Sequence, residues 1–345
     1  MNKIQDAVSS AWTMGRKTRK SSKGWITSNG VCCVHNGETP DKRGRGGLIL
    51  NGDMVSYHCF NCNFKTGWQP GWHLSYKMRK FMSWIGIDEG VIKRLVFESM
   101  RIRDEEGVVE TDKEEINIHF EPEPLPEKAK RIEELLTFYA IADFETIPDD
   151  LMDVVAYAVE KRGLTHEQVS DMYWTPEKVS IAQKMNRRLI IPYKWNNEII
   201  GYTARCIDDN KQMKYYNKSD SNYVFNTDAQ MPDAKVVLVT EGPFDALAIN
   251  GVAMLGNEVS ETKAEIIDML NREVIVVPDR GAPGQKLVDV ALECGWNVSF
   301  PDWEDPDIDD VNAAVCKYGK LYTFQHIMAH KYDTRLKIEL TRKKY

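Results

Sequence analysis

The chain has 345 residues, 42% of them hydrophobic and 28% charged, with a formal net charge of −7 at pH 7. This composition predicts a globular protein of more than one domain and excludes a protein that coats nucleic acid non-specifically. The longest apolar runs are strand-sized and the N-terminus lacks a secretory signal, so we expect neither a membrane-spanning helix nor secretion.

The first predicted element is a metal-binding module built from two pairs of ligands. A Cys-x2-His pair and a Cys-x2-Cys pair supply four ligands that suit a tetrahedral structural Zn²⁺. These predicted ligands are Cys32, His35, Cys59 and Cys62. Residues 47–50 and 54–58 predict a hairpin between the pairs, so the module is predicted to be a zinc ribbon. Cys33 and His58 are neighbouring alternatives as ligands. The odd number of cysteines, seven, indicates metal ligands and free thiols in a reducing cytoplasm.

Basic residues concentrate at the two ends of the chain. Residues 1–47 carry nine Lys or Arg against three acids, and residues 331–345 carry six against two. Around the ribbon these cations alternate with aromatic residues, a combination that binds single-stranded nucleic acid through phosphates and stacked bases. Some of these aromatic residues must instead form the core of the ribbon. For the last segment, a solvated basic tail is an equally good interpretation.

An acidic segment at residues 104–127 separates the ribbon from the rest of the chain. Pro122, Pro124 and Pro126 alternate there, which is typical of an exposed, semi-extended linker. We therefore predict a zinc-ribbon domain at 1–103, a linker at 104–127 and a second, larger part at 128–345.

Residues 128–233 combine helical and strand patterns. Helices are predicted at 128–139 and 151–162, and two strands joined by Asn196-Asn197 follow near 187–205. Four cations on or beside these strands are candidates for binding triphosphates and a nucleic-acid strand, because Arg and Lys match phosphate in charge and geometry. They are Arg187, Arg188, Arg205 and Lys214. Cations that merely protect strand edges are an equally good interpretation.

Strands and helices alternate after residue 235, which predicts a parallel sheet with helices on both faces. Strand 236–239 is followed by Glu241, and Asp245 falls on the first turn of the next helix. Strand 274–277 is followed by Asp279. The carboxyl ends of parallel strands meet at one edge, so these acids should lie close together and bind Mg²⁺. Acids that only cap helices or face solvent are the simpler alternative.

Further strands are predicted at 252–255 and 297–300, and further helices at 244–250, 262–270 and 285–294. An acidic loop at 305–312 leads into another helix. Asp310 in this loop could extend the metal site, although a plain helix N-cap is as good an interpretation.

Taken in order, these features resemble the DNA primases of the bacterial and bacteriophage type, whose polymerase core has the TOPRIM fold. Residues 32–40 look like the family's zinc motif, and residues 57–62 match its second half. Residues 188–205 with Lys214-Tyr215 are similar to the basic subdomain that precedes the TOPRIM sheet. This likeness covers nearly the whole chain.

The catalytic acids of the family fall on Glu241, Asp245 and Asp279. The segment Asp310-Val-Asn312, with Tyr318-Gly319 behind it, looks most like stand-alone primase subunits of T-even-type phages. One position departs from the family pattern, because Gly281 replaces the second acid of its Asp-x-Asp motif. Three acids are candidates to compensate: Asp307, Asp309 and Asp310.

The resemblance implies an α/β protein with a basic α+β subdomain at 128–233, a TOPRIM parallel sheet at 234–320 and a C-terminal basic helix or tail at 321–345. It implies a nucleotidyltransferase that makes short RNA primers on single-stranded DNA for lagging-strand replication. One structural Zn²⁺ and one or two Mg²⁺ are expected, with Mg²⁺ held by Glu241, Asp279 and Asp310. Glu241 could serve instead as general base.

No Gly-x4-Gly-Lys-Ser/Thr motif occurs, so a replicative helicase is expected to be a separate protein. The other expected partners are single-stranded DNA and ribonucleoside triphosphates, and the expected location is the cytoplasm, that of the host cell if a phage encodes the protein. Two alternatives remain: a TOPRIM-type nuclease, and a non-catalytic, zinc-containing DNA-binding recombination mediator.

Overall fold

The computed structural model describes residues 2–36, 38–106, 118–142, 147–176, 185–208, 213–256, 260–281 and 284–345. The chain divides into two compact units, residues 1–117 and 118–345. Residues 107–117 of the predicted linker lie outside the described residues, and a helix continues to Glu106. The finer predicted domain boundaries therefore stay predictions. Within the described ranges, no helix combines the length and apolar character needed to cross a membrane.

In its described residues, the first unit is an antiparallel five-stranded sheet packed with three helices. Its strands, in spatial order, are β1 (Arg19–Lys20), β2 (Ile26–Ser28), β3 (Gly46–Asn51), β4 (Met54–Cys59) and β5 (Lys65–Trp68). Its helices are α1 (Lys3–Thr13), α2 (Tyr76–Trp84) and α3 (Glu89–Glu106).

Local sequence explains these elements. Residues alternate between buried and more exposed along β4, as expected for a strand with one face on the core. Ile4, Val8 and Trp12 recur every fourth residue on α1, so they form one face of the helix and are fully buried. The side chain of Gln5 donates to the carbonyls of Gly52 and Met54, which fixes α1 to the turn of the predicted hairpin.

The second unit begins with an antiparallel sheet of order β10-β9-β8-β7-β6. The strands are β6 (Lys130–Arg131), β7 (Tyr173–Thr175), β8 (Arg188–Trp195), β9 (Glu198–Cys206) and β10 (Tyr215–Lys218). The helices are α4 (Ile132–Ala142), α5 (Asp149–Ala156), continued by a π-helical segment Tyr157–Lys161, and α6 (His166–Ser170). Asn196 and Asn197, with φ of 49° and 67°, form the predicted turn between β8 and β9.

A second sheet follows, with the order β12-β11-β13-β14-β15. The strands are β11 (Val236–Thr240), β12 (Val252–Ala253), β13 (Glu273–Val276), β14 (Asn297–Ser299) and β15 (Lys331–Tyr332). The helices are α7 (Pro243–Ile249), α8 (Glu261–Met269), α9 (Gly284–Cys294), α10 (Val311–Tyr318), α11 (Lys320–Ala329) and α12 (Arg335–Arg342).

Strands β11 to β14 are parallel, and β15 is antiparallel to β14. The predicted α/β class is confirmed, with its antiparallel ribbon, α+β segment and parallel sheet in the predicted order. The segment 321–345, predicted as a basic helix or tail outside the sheet domain, also supplies β15 to the sheet. Ile338 on α12 is buried, and Arg342 on the same helix donates to Asp289 on α9 over 2.7 Å, so this segment packs against the sheet domain.

Candidate metal centre and acidic site

Four cysteines converge at one end of the ribbon. The sulfur atoms of Cys32, Cys33, Cys59 and Cys62 all lie within 4.8 Å of one another. Cys32 and Cys33 lie at the start of a 3₁₀ turn, Cys59 ends β4, and Cys62 belongs to the turn between β4 and β5. Four sulfur ligands gathered this closely match the donor set of a structural Zn²⁺ site.

The surroundings of the sulfurs also fit a metal-bound thiolate centre. The side-chain amides of Asn61 and Asn36 donate to Cys33 and Cys62 over 3.3 and 3.5 Å. Such donors stabilise the negative charge on the sulfur of a cysteine that binds a metal. Burial raises the pKa of the Cys33 thiol to about 11. These thiols would therefore bind a metal by releasing their protons.

His35, a predicted zinc ligand, lies outside this cluster. Its ring stacks on Trp84 with a centroid distance of 4.5 Å and an interplanar angle of 2°. His58, which with Cys33 was an alternative zinc ligand, contacts the ring of Phe60. Cys33 occupies the fourth position instead, because the 3₁₀ turn that follows Cys32 directs the adjacent residue toward Cys59, with the two sulfurs 3.6 Å apart.

Asp41 anchors the loop that follows the first cysteine pair. Its carboxylate accepts hydrogen bonds from the backbone N–H groups of Gly30, Arg43 and Arg45 and from the Arg45 guanidinium. Burial alone would raise the pKa of Asp41, but these four donors outweigh it and lower the pKa to about 2. Asp41 thus joins the segment before Cys32 to the start of β3.

We expect Asp41→Asn to lower the free energy of unfolding by about 2 kcal/mol at pH 7, because an amide cannot accept all of these bonds. The pKa is lower in the folded state, so this stabilisation is fully present above about pH 4 and is lost as the pH falls through about 2. Denaturant unfolding of the unaltered protein and of Asp41→Asn gives the free energy of unfolding of each at pH 7 and at pH 3. The two values should differ less at pH 3 than at pH 7. The exposed Asp53→Asn is the matched control. A difference that does not change with pH would contradict the assignment.

The predicted acids of the second unit meet at the carboxyl edge of the parallel sheet. Glu241 follows β11, Asp245 lies in the first turn of α7, and Asp279 follows β13. The carboxylate of Glu241 accepts from the backbone N–H of Asp279 over 3.4 Å. Asp310 is the N-cap of α10 and accepts from the N–H of Ala313 over 2.6 Å.

Glycines allow the backbone to approach these acids closely. A Cβ on Gly284, at the start of α9, would lie 2.0 Å from the carbonyl oxygen of Asp279. A Cβ on Gly242 would lie 3.0 Å from a carboxylate oxygen of Asp245. A side chain at Gly284 would therefore collide with the backbone of Asp279, and one at Gly242 would crowd the Asp245 carboxylate.

The acids raise one another's pKa values. Burial and then Asp245 and Glu241 raise the pKa of Asp279 to about 8. Burial and then Asp310 raise the pKa of Asp245 to about 7. Burial also raises the pKa of Glu241, although the N–H of Asp279 offsets part of this effect. Carboxylates in such surroundings are stabilised by a cation.

One observation indicates where that cation would bind. An oxygen of the Asp279 carboxylate is buried and has no hydrogen-bond partner in the described part of the chain. Within that part, the four cysteines are the one group in which three or more ligand atoms lie within 4.8 Å of one another. The acids are therefore farther apart than the cysteine sulfurs. The looser acidic group fits Mg²⁺, which keeps several waters or binds substrate phosphates beside one or two carboxylates.

The four predicted basic residues have different environments. Arg187 forms ion pairs with Asp150, Asp153 and Asp208. Arg188 is buried, and its guanidinium donates to the carbonyls of Ala204 and Met213. These two guanidinium groups are therefore engaged by protein acceptors.

Arg205 and Lys214 differ from this pair. Lys214 is exposed beside β10. Arg205 is only 4% exposed, its Nε donates to the Tyr157 hydroxyl over 2.9 Å, and its Nη1 is buried without a partner among the described atoms.

A fifth basic residue, Arg162, was not predicted from the sequence. Its Nε donates to the same Tyr157 hydroxyl over 2.9 Å, so one phenol oxygen joins two guanidinium groups. Arg162 also lies over the ring of Phe244 on α7, and it acts electrostatically on Asp245 and Asp310. Tyr157 begins the π-helical segment, a distortion that is frequent at functional sites. Arg162 and Arg205 are named here the arginine pair.

No protein-family model matches the chain. Among curated proteins, the DNA primase of Aquifex aeolicus (strain VF5) is 26% identical over 156 residues, which make up 39% of this chain and 31% of that primase. The resemblance to DNA primases is confirmed. The match spans less than a third of the length of this primase, and the closeness to T-even-type subunits stays a prediction.

Solved primase structures are similar as well. The zinc binding and RNA polymerase domains of the Aquifex aeolicus primase align with a TM-score of 0.43 and 17% identity, covering 96% of this chain and 86% of that one. A DNA primase domain from Pseudomonas aeruginosa aligns with a TM-score of 0.44 and 19% identity, covering 58% of this chain and 79% of that one.

The departure from the primase motif at Gly281 has a conformational basis. Gly281 has φ of 86°, a left-handed conformation that residues with side chains rarely adopt. An acid there would be strained, although no described atom lies within 4 Å of the position that its Cβ would take. Of the three candidate substitutes, Asp309 and Asp310 act electrostatically on Asp279.

Proposed function

We propose that this protein is a DNA primase, a nucleotidyltransferase that makes short RNA primers on single-stranded DNA for lagging-strand replication. The observation that carries the proposal is the arrangement of the second unit, where Arg162 of the arginine pair lies over Phe244 on α7 and within electrostatic reach of Asp245 and Asp310. To bind a nucleoside triphosphate for transfer, a site needs acids that hold Mg²⁺ and guanidinium groups that hold the phosphates. The similarity to the DNA primase of Aquifex aeolicus supports this reading.

In the proposed mechanism, Glu241, Asp279 and Asp310 hold one or two Mg²⁺, and Asp245 orients the site. When bound, the metal supplies charge neutralisation of the triphosphate and lowers the pKa of the attacking 3′-hydroxyl. The arginine pair and Lys214 hold the triphosphate in line with that hydroxyl. Glu241 could act as general base instead, since its raised pKa favours uptake of a proton.

The proposed partners are a single-stranded DNA template, ribonucleoside triphosphates and a separate replicative helicase, in the cytoplasm. The cysteine cluster would hold one structural Zn²⁺, and the ribbon beside it would dock on the template. Phe60 is 55% exposed and its ring lies 5.8 Å from that of Trp25. Bases of an unpaired strand could stack on these rings while nearby Lys and Arg side chains contact its phosphates.

The test is incorporation of labelled ribonucleotides on single-stranded DNA with Mg²⁺, with and without a cognate helicase. Synthesis of short RNA is the expected result. Cleavage of the template without synthesis would point to a nuclease. DNA binding without turnover under either condition would point to a recombination mediator, and both of these outcomes would overturn the proposal.

A separate prediction compares Arg162, a member of the arginine pair, with Arg187, which does not belong to it. We expect Arg162→Ala to raise the KM for ribonucleotides about tenfold or more, because a guanidinium that faces the acids is lost. Arg187→Ala should instead lower thermal stability and leave this KM nearly unchanged, since Arg187 is held by three acids. Steady-state kinetics and thermal unfolding of both variants check this. A KM that rises only in Arg187→Ala would reverse the assignment.

A further inference from the structure

Asn312 contacts both halves of the proposed active site. Its side-chain amide donates to the carbonyl of Arg162 over 2.8 Å, and its side-chain oxygen accepts from Nη1 of Arg162 over 3.2 Å. Its backbone N–H donates to the carboxylate of Asp245 over 2.9 Å. Asn312 is 2% exposed, so water does not compete for these bonds. One residue thus contacts an arginine and an acid that lie far apart in sequence.

The start of α10 explains how the backbone bond to Asp245 arises. The first N–H groups of a helix have no partner within it and are free to bind an acceptor. The carboxylate of Asp310 accepts from the N–H of Ala313. The N–H of Asn312 is not used by this cap and donates to Asp245. Asp245 lies on α7, which packs against α10. The positive end of α10 therefore faces a buried carboxylate.

The side chain of Asn312 holds Arg162 at two points at once. It binds the backbone carbonyl and the guanidinium, so it sets both the position of the residue and the direction of its side chain. Tyr157 supplies a third contact, through its hydroxyl, and Phe244 lies against the guanidinium face. Arg162 is thereby fixed relative to Asp245 as well as to Arg205.

We propose that Asn312 is a positioning residue that sets the spacing between the Arg162 guanidinium and the Asp245 carboxylate, and so aligns the triphosphate with the acids. This inference deepens the proposed function and rests on it. Among side chains of this size, only an amide offers a donor for the carbonyl and an acceptor for the guanidinium together. Aspartate has the same shape but lacks the donor, and its charge would draw the guanidinium away from a phosphate.

The test compares Asn312→Asp with Asn197→Asp, which adds the same charge at the exposed turn between β8 and β9. The KM and kcat for ribonucleotides, the affinity for ATP with Mg²⁺ by calorimetry, and the thermal unfolding temperature are measured for both variants and for the unaltered protein. In Asn312→Asp we expect KM and the ATP dissociation constant to rise tenfold or more while the protein remains folded. Asn197→Asp should match the unaltered protein.

The outcomes separate this inference from the proposed function. A folded Asn312→Asp protein with unchanged KM and unchanged ATP affinity would overturn the positioning role, as would equal changes in Asn197→Asp. If the unaltered protein binds ATP but incorporates no ribonucleotide, the proposed function fails, and the ATP affinities still decide the role of Asn312. A protein that binds no ATP overturns both.

Discussion

Glu241→Gln is expected to lower ribonucleotide incorporation by about 10²–10⁴-fold, the range for loss of a group that acts directly in the reaction. Glu241 follows β11 at the sheet edge, where it accepts from the N–H of Asp279. The glutamine oxygen can accept the same hydrogen bond, so the local structure should remain. The negative charge is lost, and with it a ligand for Mg²⁺ or the proposed general base.

The fold should tolerate this change because burial already raises the pKa of Glu241, which makes the charged form costly in the absence of a cation. Primer synthesis and thermal unfolding are measured together. Glu198→Gln, on the exposed start of β9, is the matched control and should prime normally. A folded Glu241→Gln protein with normal synthesis would remove Glu241 from the site.

Cys33→Ser is expected to abolish stoichiometric zinc and unfold much of the five-stranded sheet around the cysteines. Structural Zn²⁺ contributes about 10–16 kcal/mol to metal-dependent folding of small modules, and a serine hydroxyl is a poor replacement for a thiolate ligand. Zinc content by mass spectrometry and the melting curve of the protein check this result.

His35→Ala supplies the comparison for the zinc ligands. Because His35 stacks on Trp84 and lies outside the cysteine cluster, this variant should retain its zinc and lose only the stacking contact. Zinc retained in Cys33→Ser together with zinc lost in His35→Ala would restore the Cys-x2-His pair as ligands.

Much of the sheet domain could be predicted because its signals are local. The apolar run at 236–239 corresponds to β11, and the run at 274–277 corresponds to β13 with a shift of one residue. Helix α9 begins one residue before its predicted start. A short apolar run between two predicted helices is compatible with few structures other than a buried parallel strand. Parallel pairing of two such strands then brings Glu241 and Asp279 to one edge of the sheet.

The sequence could not predict contacts that depend on distant segments. The local spacing Cys32-x2-His35 favours His35 as the fourth ligand, and only the folded turn shows that Cys33 joins Cys32, Cys59 and Cys62 instead. From the sequence, Arg187 is a candidate for binding phosphate, yet acids on α5 and near β9 engage it.

Arg162 gave no distinct signal, because a lone arginine after a helix is common. Its contacts with Asn312 span 150 positions of the sequence. The arginine pair depends on a π-helical turn, which residue periodicity does not reveal. Asp41 is a similar case, because an acid in a loop carries no indication that four donors will surround it.

The position of β15 at the end of the parallel sheet has a consequence for shortened forms of the protein. Lys331 and Tyr332 pair with the outer side of β14, and Lys331 forms an ion pair with Glu273 on β13. A chain that stops before Lys331 would leave the backbone groups of β14 unpaired, ready to bind a strand of another molecule. Such a fragment would retain every acid and arginine of the site and still be prone to aggregation, so its inactivity would say nothing about catalysis.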